Sequence, residues 1–246
     1  MNTDQFKEII TKGMHLLGNA KYKEALDAFN KAIALDPENL EAWLGEGYAL
    51  SRLNQYQEAL DAFNKAIELG PGNSEAWRAK GNALESIEKY QEALDAYNKA
   101  IELDPGNSEA WRSKGVVLGR LNQYEEALDT YNKAIELDPG NSETWWGKGI
   151  VLGRLNQHQE ALDAYNKAIE LDPGNSEAWR GKGIALEILN QYQEALDAYN
   201  KAIKLDPGNS EAWRGKGIAL RRLNQYQEAL DAYNKAIELH PENSDV

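Results

Sequence analysis

The feature that most constrains this chain is a period of 34 residues that repeats along almost all of its length. Seven prolines stand 34 positions apart, at Pro37, Pro71, Pro105, Pro139, Pro173, Pro207 and Pro241. Six tryptophans keep the same interval, at Trp43, Trp77, Trp111, Trp145, Trp179 and Trp213. A fixed period of this length is typical of repeat proteins, in which each copy buries its apolar face against its neighbours because one copy alone cannot do so.

The period divides the chain into seven copies, whose positions we number as slots 1 to 34, with Trp at slot 4 and Pro at slot 32. The copies span residues 6–39, 40–73, 74–107, 108–141, 142–175, 176–209 and 210–243. Because they cover nearly all of the 246 residues, we expect residues 1–246 to form a single array. We also expect no separate catalytic domain and no capping helix after the last copy.

Each copy has the pattern of two helices, as the copy 176–209 illustrates. Ser176 and Glu177 supply a polar cap and an acidic residue for the first turn of the first helix. The segment 190–193, Asn-Gln-Tyr-Gln, has the spacing of a capping box for the second helix. Asp-Pro-Gly-Asn at 206–209 then ends that helix, because proline cannot continue its hydrogen bonding.

Small residues recur on the apolar faces of both helices, as Gly183 does on the first helix of the same copy. A glycine inside a helix costs about 1 kcal/mol relative to alanine, so its recurrence indicates a packing requirement. We expect the helices to approach closely at these positions, with Trp179 and Tyr199 filling the space around them.

The pattern of Trp, Gly, Ala, Tyr, Ala and Pro at slots 4, 8, 20, 24, 27 and 32 resembles the tetratricopeptide repeat (TPR) family in all seven copies. The resemblance implies an all-α fold, a right-handed α-solenoid superhelix of seven helix-turn-helix units whose first helices line a concave groove. The chain departs from the family at slot 7, where six copies have Lys instead of Leu. We expect each lysine stem to pack between helices and its ammonium to reach water or an acidic residue of a neighbouring copy.

The groove face of the first helices follows from their geometry. If slots 4, 8 and 11 point into the core, slots 5, 9 and 13 point away from it. These slots form an apolar line flanked by arginines, and apolar residues that face away from a core often mark an interaction site. The predicted peptide-binding residues are Arg78, Asn82, Arg112, Val116, Arg120, Trp146, Ile150, Arg154, Arg180, Ile184, Arg214 and Ile218.

The charge distribution indicates the partner. The net charge of −13 disfavours nucleic acids and anionic membranes. Slots 1–14 nevertheless carry 16 Lys or Arg against 10 Asp or Glu, whereas the remainder carries 11 against 30. We therefore expect a protein or peptide partner with acidic and apolar side chains.

Two alternatives to ligand binding stay open for these residues. Slot-5 arginines such as Arg180 can pair with slot-2 glutamates such as Glu177. Trp146 can stack on Arg112 or Arg180 instead of anchoring a ligand.

Several kinds of chemistry find no support in the sequence. The chain has no cysteine, its three histidines lie in different copies, and it has no phosphate-binding loop. We therefore predict no cofactor, no metal and no enzymatic activity.

Arg78 and Asn82 resemble the start of a chaperone-binding carboxylate clamp, but Ser113, Glu143 and Gly147 do not match its remainder. Without a signal-peptide core or an uncharged apolar stretch of 18 residues, the chain is expected to be cytoplasmic and not membrane-bound.

The function predicted from these observations is a non-catalytic protein–protein interaction scaffold that binds a peptide segment in its concave groove. The alternative is structural self-assembly by end-to-end stacking. In that case Leu230, Tyr233 and Ile237 of the last helix would meet Ile9 and Ile10 of the first helix of another copy of the chain. RNA binding by a helical-repeat code is a third hypothesis, and the acidic balance argues against it.

Overall fold

The computed structural model describes residues 3–240, with side chains from Phe6 onward, and this part of the chain forms fourteen α-helices and no strand. The first helices of the copies are α1 (Thr3–Gly18), α3 (Leu40–Arg52), α5 (Ser74–Ser86), α7 (Ser108–Arg120), α9 (Ser142–Arg154), α11 (Ser176–Ile188) and α13 (Ser210–Arg222). The second helices are α2 (Tyr22–Leu35), α4 (Tyr56–Leu69), α6 (Tyr90–Leu103), α8 (Tyr124–Leu137), α10 (His158–Leu171), α12 (Tyr192–Leu205) and α14 (Tyr226–Leu239). The predicted pair of helices in every copy is confirmed.

The chain divides into two compact units between Asn122 and Gln123. The first unit contains α1 to α7 and the second contains α8 to α14. Within each unit every helix packs against the helix before it and the helix after it, and the first helices of neighbouring copies also touch. The helices inside each unit therefore bury their apolar faces between neighbouring helices, as a stacked repeat requires.

The N-terminal caps differ from the predicted ones in both helices of the copy 176–209. Asn175, not Ser176, caps α11, because its side-chain oxygen accepts a hydrogen bond from the backbone N–H of Ala178 at 2.9 Å. The predicted capping box at 190–193 is wrong, since α12 has no side-chain cap and Asn190 has the left-handed φ of 61°. The residues that share this left-handed turn are Ala20, Asn54, Glu88, Asn122, Asn156, Asn190 and Asn224.

The aromatic ring at slot 24 explains the small residues of the first helices. The ring of Tyr199 lies between Gly183 of its own copy and Gly215 of the next copy. A Cβ atom at Gly183 would lie 2.7 Å from the ring, and one at Gly215 would lie closer still. Phe29 and Tyr165 likewise lie against two glycines, and the slot-24 rings that lie against at least one are Phe63, Tyr97, Tyr131 and Tyr233. The predicted close approach of the helices at glycine is confirmed.

The slot-4 tryptophan ties each copy to the turn that ends the preceding one. The indole Nε1–H of Trp179 donates a hydrogen bond to the backbone oxygen of Pro173 at 3.1 Å. The equivalent bonds join Trp43 to Pro37, Trp77 to Pro71, Trp111 to Pro105, Trp145 to Pro139 and Trp213 to Pro207. Tryptophan and proline therefore share one period because they form one contact.

The slot-7 lysine packs over the ring of the same tryptophan. The sequence alone does not identify this partner of the lysine. The ammonium of Lys182 lies 5.3 Å from the centre of the Trp179 ring, in cation–π geometry. Lys80, Lys114, Lys148 and Lys216 lie over the tryptophans of their own helices in the same way. Partial burial lowers the pKa of Lys148 and Lys182, because it disfavours the charged ammonium.

The first helix differs from the other first helices on one face. Ile10, predicted to be presented at this end, is 7% exposed and packs in a core with Ala25 and Phe29. Glu8 and Thr11 are exposed at slots 3 and 6 of α1. The slot-3 residues of the other copies are small and buried: Ala42, Ala76, Ala110, Thr144, Ala178 and Ala212. The face of α1 that corresponds to an internal packing surface is therefore polar.

The last described helix exposes apolar side chains. On α14, Tyr226, Leu230 and Ile237 are 65%, 53% and 47% exposed. Residues 241–246, where the sequence predicts no further helix, lie outside the described residues.

Candidate peptide-binding site

A cleft of about 450 Å³ in the second unit brings together five of the twelve predicted binding residues, Trp146, Ile150, Arg154, Arg180 and Ile184. We call it the α9–α11 cleft, because α9 and α11 supply most of its lining and α10 supplies the rest. The lining is completed by Gly153, His158, Ala161, Tyr165, Glu177, Gly181, Ala185 and Ile188. Its volume lies within the range of about 300–1,000 Å³ that is usual for ligand pockets.

Isoleucines form the apolar part of the α9–α11 cleft. Ile150, Ile184 and Ile188 are 37%, 41% and 48% exposed. Trp146 is half-buried and packs against the core of the second unit. No cation–π contact joins Trp146 to Arg180, so that alternative does not apply to this pair of described residues. Three β-branched side chains that point into an open cleft leave an apolar surface for a ligand to cover.

Arg180 is held in place by Glu177, its neighbour one helical turn away. The Nε and Nη2 atoms of Arg180 donate hydrogen bonds to Oε2 of Glu177 at 3.0 and 2.5 Å. Oε1 of Glu177 accepts a third hydrogen bond from Asn209 at 2.7 Å. Burial acts to raise the pKa of Glu177, but the hydrogen bonds and charge of Arg180 and the bond from Asn209 hold it below its usual value. Glu177 is therefore ionised and neutralises much of the Arg180 charge.

Arg154 contributes positive charge to the α9–α11 cleft without such a partner. Its side chain is exposed at the end of α9, and no carboxylate of residues 6–240 lies within ion-pair distance of it. A guanidinium presents five N–H donors in a planar fork that fits a carboxylate. Arg154 is thus the cation of this cleft that remains available to a ligand.

Tyr165 lies in the lining with a buried ring and an unused hydroxyl. The residue is 7% exposed, and its hydroxyl makes no hydrogen bond to another described residue. At the same slot in the next copy, the hydroxyl of Tyr199 donates to Glu187 at 3.0 Å. The position of Glu187 is occupied by Gly153 in α9, where an added Cβ would meet nothing within 4 Å. Gly153 therefore opens the space in front of the Tyr165 hydroxyl.

Burial keeps the Tyr165 hydroxyl protonated. Burial raises the pKa of Tyr165 to about 12, against the opposing charges of Arg180 and Arg154, while the charge of Glu177 acts in the same direction as burial. At neutral pH the hydroxyl is therefore a hydrogen-bond donor that faces the α9–α11 cleft.

The first unit places its predicted residues in two more polar clefts. Arg78 and Asn82 line a cleft of about 540 Å³ between α3 and α5. Arg112, Val116 and Arg120 line a cleft of about 420 Å³ between α5 and α7, together with Asn82.

The arginines of these clefts share a carboxylate. Glu109 lies 3.4 Å from Arg78 and 3.7 Å from Arg112, and Asn82 accepts a hydrogen bond from Tyr97 at 2.7 Å. The pairing of slot-5 arginines with slot-2 glutamates therefore occurs in both units, although Arg78 pairs with the glutamate of the next copy. These clefts have less positive charge to offer an acidic ligand than the arginines alone suggest.

Two predicted residues lie apart from the three clefts. Arg214 and Ile218 are on α13 and line none of them. Arg214 is exposed and pairs with Glu211 at 2.6 Å. The interpretation of the slot-5 arginines as surface ion pairs therefore describes Arg214 well.

The lining of the α9–α11 cleft includes eight residues outside the predicted set, among them His158, Tyr165 and Ile188. His158 replaces the tyrosine that the other copies carry at slot 17, and it is half-buried in the lining. Tyr165 occupies a core slot, so its period alone places it away from the groove. The available signal was Gly153, since glycine at slot 12 provides no side chain to accept a hydrogen bond from the neighbouring hydroxyl.

Two general properties of the described region bear on function. Within residues 3–240, no three His, Cys, Asp or Glu side chains converge as a metal site would require. None of the helices in this part of the chain is long and apolar enough to cross a membrane.

Several solved structures are similar to this chain in fold. YrrB, described as a TPR protein with an unusual peptide-binding site, is 29% identical over 78% of this chain and 98% of its own, with a TM-score of 0.65. A TPR protein from Parabacteroides merdae is 17% identical, covers 98% of this chain and 95% of its own, and has a TM-score of 0.73. The APC/C hetero-tetramer Cut9-Hcn1 contains a chain that is 18% identical, with a TM-score of 0.78 over 99% of this chain and 47% of that chain.

Family models match the chain along most of its length. One tetratricopeptide repeat model matches residues 10–74, 46–108, 78–142, 147–210 and 189–244, and a second matches residues 130–163. No curated protein matches the chain significantly. The period, the helix pairs and the model matches agree, and the chain belongs to the tetratricopeptide repeat family.

Proposed function

We propose that this chain is a non-catalytic interaction scaffold that binds a peptide segment of a partner protein, with the α9–α11 cleft as its main anchoring site. The observation that carries the proposal is the combination of exposed isoleucines with an unpaired arginine in one cleft. Ile150 and Ile184 offer apolar surface, while Arg154 offers a charge. A peptide with a bulky apolar side chain near an acidic group fits both requirements.

Two further considerations support a peptide ligand. The structurally similar YrrB is itself described as having a peptide-binding site. Desolvated apolar anchors surrounded by polar groups also account for most of the affinity in protein interfaces. We propose that residues 1–246 act as one array.

The test is a matched pair of charge insertions. Peptides are selected from a random display library on the native chain, and their affinities are measured by calorimetry. Ile184→Glu places a carboxylate on the apolar wall and is expected to weaken binding at least about tenfold, because it buries an unpaired charge. Ile237→Glu, on an isoleucine of similar exposure outside the cleft, is the control and should leave affinity unchanged. Equal affinity of the Ile184→Glu variant and the native chain would refute the cleft as the anchor.

End-to-end stacking is the second candidate, and the exposed Leu230 and Ile237 of α14 favour it. In the register of the internal copies, α14 would receive α1 of another molecule. That contact would bury the carboxylate of Glu8 at slot 3, where other copies have a small residue. It would also place Thr11 at slot 6, where the other copies have Gly, Ala or Ser. The polar face of α1 opposes the stacking that α14 favours, and we therefore place peptide binding first.

A further inference from the structure

The Tyr165 hydroxyl is a polar group that packing alone does not explain. The side chain is more than nine-tenths buried, and its ring lies against two glycines, as does the ring of Phe29, which has no hydroxyl. In the neighbouring copy the equivalent hydroxyl is satisfied by Glu187. The Tyr165 hydroxyl is not among the buried unpartnered polar atoms, so it is accessible from the cleft, and a donor without a protein acceptor there is available to an acceptor from a ligand.

The surroundings of the hydroxyl define the kind of acceptor. Arg154 and Arg180 both line the cleft, but Arg180 is engaged by Glu177 through two hydrogen bonds. The cleft therefore retains one available cation, which matches a singly charged anion better than a doubly charged phosphate. A carboxylate has two oxygens, so one can accept from the hydroxyl while the other accepts from the guanidinium.

The apolar wall defines what stands next to that carboxylate. Ile150, Ile184 and Ile188 line the same cleft as Tyr165 and remain partly exposed. The clefts of the first unit contain Glu75, Glu85, Glu88 and Glu109 in their linings, whereas Glu177 is the sole carboxylate in the lining of the α9–α11 cleft. An acidic ligand therefore meets less repulsion in the second unit than in the first.

We propose that the Tyr165 hydroxyl and the Arg154 guanidinium together bind a carboxylate of the ligand, and that the three isoleucines take the aliphatic side chain beside it. The inference rests on the proposed function, because it assigns the ligand chemistry of the same cleft. The carboxylate belongs either to the C-terminus of a peptide or to an acidic side chain within it.

The experiment uses short peptides as probes and the full chain as receptor. N-acetyl-Leu-Leu with a free carboxylate is compared with its C-terminal amide, and N-acetyl-Leu-Glu-Leu-amide is compared with its Gln counterpart. Dissociation constants are obtained from NMR titrations that follow the methyl groups of Ile150 and Ile188, which are present in every variant tested. Each pair is measured on the native chain, on Tyr165→Phe, on Arg154→Gln and on Tyr233→Phe, which removes a hydroxyl at the same slot outside the cleft.

The expected result is that at least one carboxylate probe binds the native chain about tenfold more tightly than its uncharged counterpart. The pair that shows this preference identifies the source of the carboxylate. Tyr165→Phe and Arg154→Gln should each remove most of the preference, while Tyr233→Phe should retain it. A preference that survives Tyr165→Phe, or no preference in either pair, would overturn the inference.

Failure of this inference is distinguishable from failure of the proposed function. If the uncharged probes bind and Ile184→Glu abolishes their binding, the cleft is a peptide site that does not recognise a carboxylate. If no probe binds, or if Ile184→Glu leaves every affinity unchanged, the cleft assignment fails as well.

Discussion

The packing of the slot-24 ring predicts opposite effects for one substitution at two glycines. Gly183 lies within α11, where a Cβ would come 2.7 Å from the Tyr199 ring. Gly119 lies in the last turn of α7, where a Cβ would meet nothing within 4 Å. Neither glycine has a positive φ, so alanine can adopt the backbone at both positions. The comparison of Gly183→Ala with Gly119→Ala thus isolates the contact with the ring.

The magnitudes follow from two opposing contributions. Alanine in place of a helical glycine contributes up to about 1 kcal/mol of stability. Overpacking of a core costs about 1–3 kcal/mol. The ring has little room to move away from Gly183, because the same ring edge also lies against Gly215 of the next copy. We therefore expect Gly183→Ala to destabilise the fold by about 1–2 kcal/mol, whereas Gly119→Ala stabilises it by up to about 1 kcal/mol.

The assay has to respect the unfolding behaviour of repeat proteins. Long arrays do not always unfold in one cooperative step, so a single free energy from denaturation is insufficient. We would compare urea midpoints and, separately, the hydrogen exchange of amides in α11 and α12. Faster exchange in these helices for Gly183→Ala alone is the expected result. If Gly183→Ala is as stable as Gly119→Ala, the ring is not confined as the structure indicates.

Three further predictions concern other contacts. Trp179→Phe removes the hydrogen-bond donor to the proline turn. By urea denaturation it should lower the free energy of unfolding by about 1 kcal/mol more than Trp146→Phe, which loses no such bond. Equal losses of stability would refute the role of the bond. Glu88→Gly should stabilise the fold by about 1 kcal/mol, because it relieves a left-handed residue, and an unchanged urea midpoint would contradict this. The double variant Glu8→Ala, Thr11→Gly should gain concentration-dependent mass in light scattering while the native chain stays monomeric. A native chain that associates equally would show that α1 does not oppose stacking.

The sequence predicts the helices well because their determinants recur in every copy. Tryptophan, glycine and proline at fixed slots specify which faces are buried, and the structure confirms the pairs of helices. The capping residues are harder to predict from the sequence. Asn175 and Ser176 are both good capping residues, and only backbone geometry distinguishes them. The capping box predicted at Asn190 is wrong for the same reason, because asparagine suits both a cap and a left-handed turn.

The candidate site was harder to predict because it depends on differences between copies. The angle of each slot around its helix placed Ile150 and Ile184 on the exposed side, as the structure also does. The same reasoning assigned Tyr165 to the core, and it is indeed buried. What the period cannot show is that Gly153 fails to cover the hydroxyl, since this requires two helices to be seen together. The prediction that Ile10 is presented at a free end is wrong for a similar reason. Ile10 packs against α2, and that contact depends on how two helices are placed and not on the sequence of either helix alone.

The hydrogen bond between tryptophan and the preceding proline turn has a consequence for the history of the gene. Its two partners stand six positions apart, so the contact that joins two copies is encoded locally and recurs with the same spacing as the copy itself. Unequal recombination between any two equivalent points therefore adds or removes a whole copy without breaking a junction. The length of the array can then change by single genetic events, while positions such as Trp146 and Gly153 diverge one copy at a time.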